Sequence, residues 1–136
     1  MSEQDIWDAL AALLEAGELS GLVFDYGTVP GEAGVPGSLP DFYAILSVER
    51  RPVPSSKANG ADRAGWRATV RYVDKTTANA RLVGYWVRVA FESTIGHGKR
   101  LSIGGVESTP LTHETTQPVG PDKGRFSGSV TYTFAT

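Results

Sequence analysis

Cysteine is absent from the chain, which removes disulfides and thiolate metal sites together and excludes a small secreted domain held by disulfide staples. Histidine is nearly absent. His97 and His113 are the only two, too few for the imidazole clusters that zinc sites favour. No stretch approaches the roughly 18 uninterrupted apolar residues of a membrane span, and the N-terminal residues are acidic and helix-like, unlike a signal peptide. A soluble intracellular protein with no membrane partner is therefore expected. Positive charge is the most unevenly missing property. Residues 1–49 contain no Lys or Arg but nine carboxylates (Glu3, Asp5, Asp8, Glu15, Glu18, Asp25, Glu32, Asp41, Glu49), whereas residues 50–100 hold eleven basic residues against Asp62, Asp74 and Glu92. A formal balance of −9 is thus followed by one of +8. Either the two segments neutralise one another inside one fold, or an acidic surface of one copy meets a basic surface of the next, as in head-to-tail assembly. Nucleic-acid readout is disfavoured, because the basic residues are scattered and the acidic total of 15 exceeds the basic total of 13.

At 136 residues the chain has the length of one domain, and such a domain buries roughly two-thirds of the surface its unfolded chain exposes. Residues 1–136 are accordingly expected to form a single domain. Its organising stretch runs from Trp66 to Glu92. Trp66, Ala68, Val70 and Tyr72 alternate with Arg67, Thr69 and Arg71, the period of a strand with one buried and one basic face. Asp74 to Thr77 then leads into a helix in which Ala78, Leu82, Trp86, Val89 and Ala90 share one stripe, expected to be the core face. Val83, Val87 and Phe91 form a second apolar stripe, and Arg81, Tyr85, Arg88 and Glu92 a polar edge. A helix apolar on two sides needs two covers: the sheet of its own domain, and another helix or a neighbouring subunit.

Around this unit, Ser2 and Asp5 resemble a capping box that opens a helix over about residues 4–16, with Ile6, Leu10, Leu13 and Leu14 on one face and Gly17 as a stop. Leu22 to Tyr26 is a short strand candidate. Gly27 to Pro40, with four glycines and three prolines, fits no regular element and is either a flexible arm or an ordered loop. Phe42 to Glu49 is apolar on both faces, as in a central strand. Arg51 to Gly65 is polar and rich in breakers, a long excursion between paired strands that is expected to be mobile in the free subunit. Gly96 to Lys99 ends the second helix. Ile103-Gly104-Gly105-Val106 has the form of a two-residue hairpin. A strand follows Pro110 over Leu111 to Thr116, then a turn-rich loop over Gln117 to Gly124. The last strand alternates Phe126, Gly128, Val130, Tyr132 and Phe134 with small hydroxylic residues. This order predicts an α+β fold, a mostly antiparallel or mixed sheet with two helices on one face and long inter-strand loops.

Motifs for catalysis are thin. Gly96-His97-Gly98-Lys99-Arg100 lacks the upstream glycine and the following Ser or Thr of a phosphate loop. His113-Glu114 lacks the second histidine of a zinc helix, and Ser127 lacks the glycine two residues before it that a nucleophile elbow needs. No carboxylate pair stands in a context suited to acid–base work. No catalytic, cofactor or metal residue is assigned, although the aromatic content and loop glycines keep a small enzyme or ligand-binding α+β domain as the rival class.

The Ile6-Trp7-Asp8-Ala9-Leu10 helix, the Trp66–Tyr72 strand leading into a long helix, the Gly104-Gly105-Val106 turn and the ending Gly124-Arg125-Phe126-Ser127-Gly128-Ser129-Val130-Thr131-Tyr132-Thr133-Phe134 together resemble the tail-terminator (tail completion) proteins of long-tailed bacteriophages. The resemblance lies in the order of elements over nearly the whole chain, which departs from the plain pattern in its Gly27–Pro40 run. It implies a non-enzymatic, cofactor-free virion protein, assembled in the host cytoplasm. Such a subunit forms a six-membered ring on the tail tube, stops tube growth and presents the head-joining surface, with DNA passing through without sequence-specific binding. Its partners would be its own copies, the tail-tube protein and a head-completion or connector protein. Another neck component is the alternative within this class. On this view Arg67, Arg71, Arg81 and Arg88 are expected at an intersubunit face opposite Asp5, Asp8 and Glu15 of a neighbour, with Val83, Val87 and Phe91 as its apolar part. Arg51, Lys57 and Arg63 in one loop, and Pro118, Asp122 and Lys123 in another, are expected to meet the two axial partners.

Overall fold

Cross-strand pairing of the two clearest alternating segments builds the centre of the fold. The computed structural model describes residues 2–51 and 64–136. Strand β3 (Gly65–Asp74) pairs along its full length with the last strand, β9 (Arg125–Ala135), so that Ala68 faces Tyr132, Val70 faces Val130 and Tyr72 faces Gly128. On its other side β3 pairs antiparallel with β2 (Tyr43–Arg51), setting Leu46 against Val70. The two-residue β1 (Val23–Phe24) adds to β2 in parallel, and β8 (Thr112–Asp122) closes the other edge beside β9. The order β1-β2-β3-β9-β8 is therefore mixed but mostly antiparallel.

Two helices cover one face of this sheet, as the α+β expectation requires. Helix α1 (Glu3–Glu15) starts at a complete capping box: Asp5 N–H donates to Ser2 Oγ at 3.1 Å, and Ser2 N–H donates to Asp5 Oδ2 at 2.9 Å. Its Ile6, Leu10 and Leu14 are buried, and Trp7 Nε1 donates to the Leu46 carbonyl at 2.8 Å, tying the helix to β2. Helix α2 (Thr77–Phe91) is capped by Thr76 Oγ1, which accepts from Asn79 N–H at 3.1 Å. Ile6, Leu10, Leu14, Val83, Val87 and Phe91 share one cluster with Leu46, Val70, Val130 and Tyr132 of the sheet.

The two stripes of α2 exchange the roles expected of them. Val83, Val87 and Phe91, expected at a subunit interface, are fully buried against the sheet, whereas Leu82, Tyr85 and Val89 are exposed. Both stripes are apolar, so periodicity alone leaves the choice open. A glycine decides it. Gly84 sits on the inner stripe against the Tyr72 ring, and a Cβ there would lie 2.7 Å from Tyr72 Cζ; Gly128 of β9 meets the same ring, where a Cβ would lie 2.8 Å from Cε2. One phenol ring thus fills the space between helix and sheet that two glycines leave.

Two other segments differ from expectation, and a third, Gly27–Pro40, takes the ordered one of its two expected forms. Helix α2 ends at Phe91, and the residues expected merely to stop it form a small hairpin, β4 (Glu92–Thr94) with β5 (His97–Gly98). The Gln117–Gly124 loop is instead the second half of β8, whose register shifts between Gln117 and Gly120 accommodate Pro118; a proline is tolerated there because β8 is an edge strand with an irregular ladder. The Gly27–Pro40 run is ordered and covers one end of the sheet's other face, where Val29 and Leu39 pack on Tyr43, Ile45 and Val73. The predicted hairpin at Gly104-Gly105 is present between β6 (Ser102–Ile103) and β7 (Val106–Glu107), both glycines having positive φ (57° and 81°), as a tight primed turn demands.

Candidate interaction surfaces

The second face of the sheet carries alternating β3 residues that no helix covers, and here two arginines gather acidic side chains from both flanks. Arg67 donates from Nε and Nη2 to the two carboxylate oxygens of Glu114 on β8, at 3.0 and 3.1 Å, and from Nη1 to Glu49 of β2 at 3.3 Å. Arg71 pairs with Asp122 of β8, whose Oδ2 also accepts from Ser127 Oγ at 2.9 Å, and lies 3.8 Å from Glu32. Tyr43 Oη donates to Glu32 at 2.7 Å, and burial together with this carboxylate pushes the phenol up to about 12. Lys75 pairs with Asp41 at 2.8 Å. Glu32, Asp41 and Glu49 of the acidic segment therefore neutralise Arg71, Lys75 and Arg67 of the basic one within the subunit.

The remaining acids stand apart. Asp5 is engaged in the α1 cap, Asp8 accepts from Gln4 Nε2 at 2.9 Å, and Glu15 is exposed at the end of α1. Among the described residues none of these, nor Glu3, Glu18 or Asp25, makes an ion pair, and Arg81 makes none either.

Arg88 points elsewhere. Its Nε and Nη2 donate to the two oxygens of Glu92 at 2.8 and 3.2 Å. Tyr132 Oη donates to Glu92 Oε2 at 2.5 Å and Gly96 N–H to Oε1 at 2.7 Å, and the carboxylate is only 4% exposed. Burial pushes the carboxyl upward, but the hydrogen bonds from Arg88, Tyr132 and Gly96 outweigh it and hold the group at about 2. The same partners raise Arg88 further above its ordinary range, through the Glu92 hydrogen bond first. Sequence reasoning missed this buried network; its signal was the four-residue spacing of Arg88 and Glu92 across a helix end. A hollow of about 510 Å³ beside it is lined by Arg88, Glu92, His97 and His113, among others. Both oxygens of the buried Glu92 carboxylate are already held by four donors: Arg88 Nε and Nη2, Tyr132 Oη and Gly96 N–H.

Of the two expected partner loops, Arg51 is the last residue of β2, while Lys57 and Arg63 lie outside the described residues, as does most of the Arg51–Gly65 excursion and its expected mobility. Pro118 and Asp122 belong to β8 rather than a loop, and Lys123 forms the tight turn into β9 with φ 48°. Lys123 and Asp122 line a depression of about 260 Å³ with Glu32, Tyr43, Arg71 and Arg125. The small hairpins stand at the opposite end of the sheet, tied there by Thr109 N–H donating to the Ala135 carbonyl at 2.9 Å, and carry exposed Ile95 and Val106.

No helix among the described residues is long and apolar enough to cross a membrane. No protein-family model matches the chain, and no curated protein does. Several solved chains share its fold, two of them as follows. One is a chain of the virion of a native gene transfer agent (GTA) particle, 20% identical, with a TM-score of 0.66 over 94% of this chain and 92% of that one. The other, designated only by a sequence identifier, is 15% identical, with a TM-score of 0.61 over 99% of this chain and 95% of that one. At these identities the likeness is one of fold.

Proposed function

We propose that the chain is a structural protein of a phage-like virion and, within that class, a tail terminator. The observation that carries the class is the shared fold over nearly the whole length of a gene transfer agent virion chain. The finer role rests on the element order that resembles tail terminators, running from the α1 helix to the hydroxyl-rich final strand. The subunit then works by assembly, not by chemistry: copies close into a ring, proposed to be hexameric, on the end of the tail tube. The ring stops tube growth and offers its far side to a head-completion or connector protein, and DNA passes through it.

The two ends of the sheet suit two axial partners. One end presents the small hairpins with Ile95 and Val106; the other presents the Gly27–Pro40 cover and the Lys123–Gly124 turn. The test is electron microscopy of purified protein mixed with assembling tail-tube protein. Capped tubes of limited length are expected. Binding to portal or head-completion proteins, with tubes left uncapped, would reassign the chain to another position in the neck.

A further inference from the structure

The outward stripe of α2 is unexplained by the subunit's own packing. Ala78, Leu82, Tyr85 and Val89 recur at helical spacing directly opposite the buried Ala80, Val83, Val87 and Phe91. Leu82, Tyr85 and Val89 are 46%, 56% and 45% exposed. An apolar groove of about 230 Å³ between α2 and the end of α1, lined by Leu13, Trp86 and Ala90 with Val89 itself, continues the stripe. Arg81 borders the stripe on its other flank and, among the described residues, makes no ion pair. The groove end carries its own charges of both signs, Lys99 and Glu18, whereas on the Arg81 flank apolar area beside a cation calls for an aromatic or aliphatic group next to a carboxylate.

The same chain presents that combination elsewhere. Tyr26, just after β1, is 84% exposed, the most exposed of the large hydrophobic residues among those described. It is held at the apex of a closed turn: Thr28 N–H and Oγ1 both donate to the Asp25 carbonyl, at 3.2 and 2.8 Å, and Tyr26 N–H donates to Asp25 Oδ1 at 2.8 Å. Gly27 takes φ +79°, the left-handed conformation that such a turn reserves for glycine. Fixing a large aromatic in solvent on a preformed turn lowers the ordering cost of burying it in a partner. Its neighbour Asp25 belongs to the acidic segment and makes no ion pair among the described residues.

We propose that the Asp25–Tyr26 turn of one copy docks on the Leu82–Tyr85–Val89 stripe of the next, with Asp25 against Arg81. Turn and stripe are different patches, so the contact is heterologous and propagates from copy to copy, as a ring requires. The proposal deepens the assembly function above and rests on it.

The experiment is sedimentation analysis of the full chain over a range of concentrations, with thermal melts as the check on folding, since all the altered side chains are exposed. Wild type is expected to self-associate. Asp25→Arg and Arg81→Asp are each expected to weaken association at least about tenfold, Tyr26→Ser to do the same, and the Asp25→Arg/Arg81→Asp pair to recover most of the loss. Association of wild type with all variants unaffected would place the contact elsewhere, overturning this interface while leaving the assembly function standing. Single variants that weaken association without recovery in the pair would overturn the Asp25–Arg81 contact. Wild type that stays monomeric at every concentration, alone and with tubes, would overturn both the interface and the ring.

Discussion

Replacing Glu92 by Gln tests whether the buried carboxylate at the end of α2 is held ionised by its four donors. Burial alone would raise its pKa. The Arg88, Tyr132 and Gly96 hydrogen bonds instead bring it from 4.5 to about 2, so the ionised form is favoured in the fold and the chain gains stability from it above pH 4.5. As pH falls from 4.5 towards 2, the unfolded chain takes up a proton that the folded chain refuses, and that stability is lost. The depression corresponds to about 3 kcal/mol at neutral pH, in line with the cost of removing one partner from a buried pair. Glu92→Gln keeps the shape but sets an amide against Arg88. Urea unfolding followed by tryptophan fluorescence should show the midpoint falling by about 1–3 M at pH 7 for a slope of order 1–3 kcal/mol/M. Other paired carboxylates also titrate in acid, so the informative quantity is the difference between wild type and variant at each pH. That difference should shrink steadily below pH 4.5. A difference that stays constant from pH 7 to pH 2.5 would refute the ionised, hydrogen-bonded Glu92.

Three further outcomes follow from the packing. Gly84→Ala, which on an exposed helix would gain up to about 1 kcal/mol of propensity, should instead cost roughly 1–3 kcal/mol by overpacking against Tyr72; in a Tyr72→Leu background chemical denaturation should show the sign reversed. Gly98→Ala should be far worse, a loss of more than about 3 kcal/mol or failure to fold, because a Cβ there falls 1.7 Å from the Leu111 carbonyl oxygen and no side-chain rotation relieves it; soluble expression and circular dichroism report this. Arg88→Glu should destabilise the subunit by roughly 3–5 kcal/mol, since it sets a second carboxylate against buried Glu92, whereas Arg81→Glu should leave the melting temperature of the subunit nearly unchanged.

Strands β3 and β9 were legible because one face of each is core and the other polar, so the two-residue period survives in the residues. Helix α1 was legible for the same reason at helical period, with Ser2 and Asp5 marking its start. Helix α2 was legible as a helix but not in its rotation. Leu82 and Val89 weigh as much as Val83 and Val87 in any apolar pattern, and the deciding contacts, Gly84 on Tyr72 and Phe91 edge-on to Tyr132 at 5.2 Å, are long-range. The latter half of β8 was hidden by Pro118, Gly120 and Pro121, residues typical of loops that an edge strand admits at bulges. The core function of the Gly27–Pro40 run was hidden differently: Val29 and Leu39 are too few and too irregularly spaced to signal a second cluster until Tyr43 and Val73 are known to face them.

The division of charge along the chain has two physical meanings at once. Glu49 neutralises Arg67 across neighbouring strands, and Glu32 and Asp41, from the segment that leads into β2, reach Arg71 on the uncovered face of β3 and Lys75 just after it. Such half-exposed pairs contribute little stability each, but they satisfy these charges within the subunit. The carboxylates of α1 and of Asp25 project from elements that no basic strand reaches, and Arg81 projects from the outer side of α2. Charges unspent inside a subunit remain available between subunits, where they select orientation and partner more than they add affinity. For that reason the proposed head-to-tail contact draws on Asp25 and Arg81 rather than on Arg67, Arg71 or Arg88, whose acidic partners all come from their own chain.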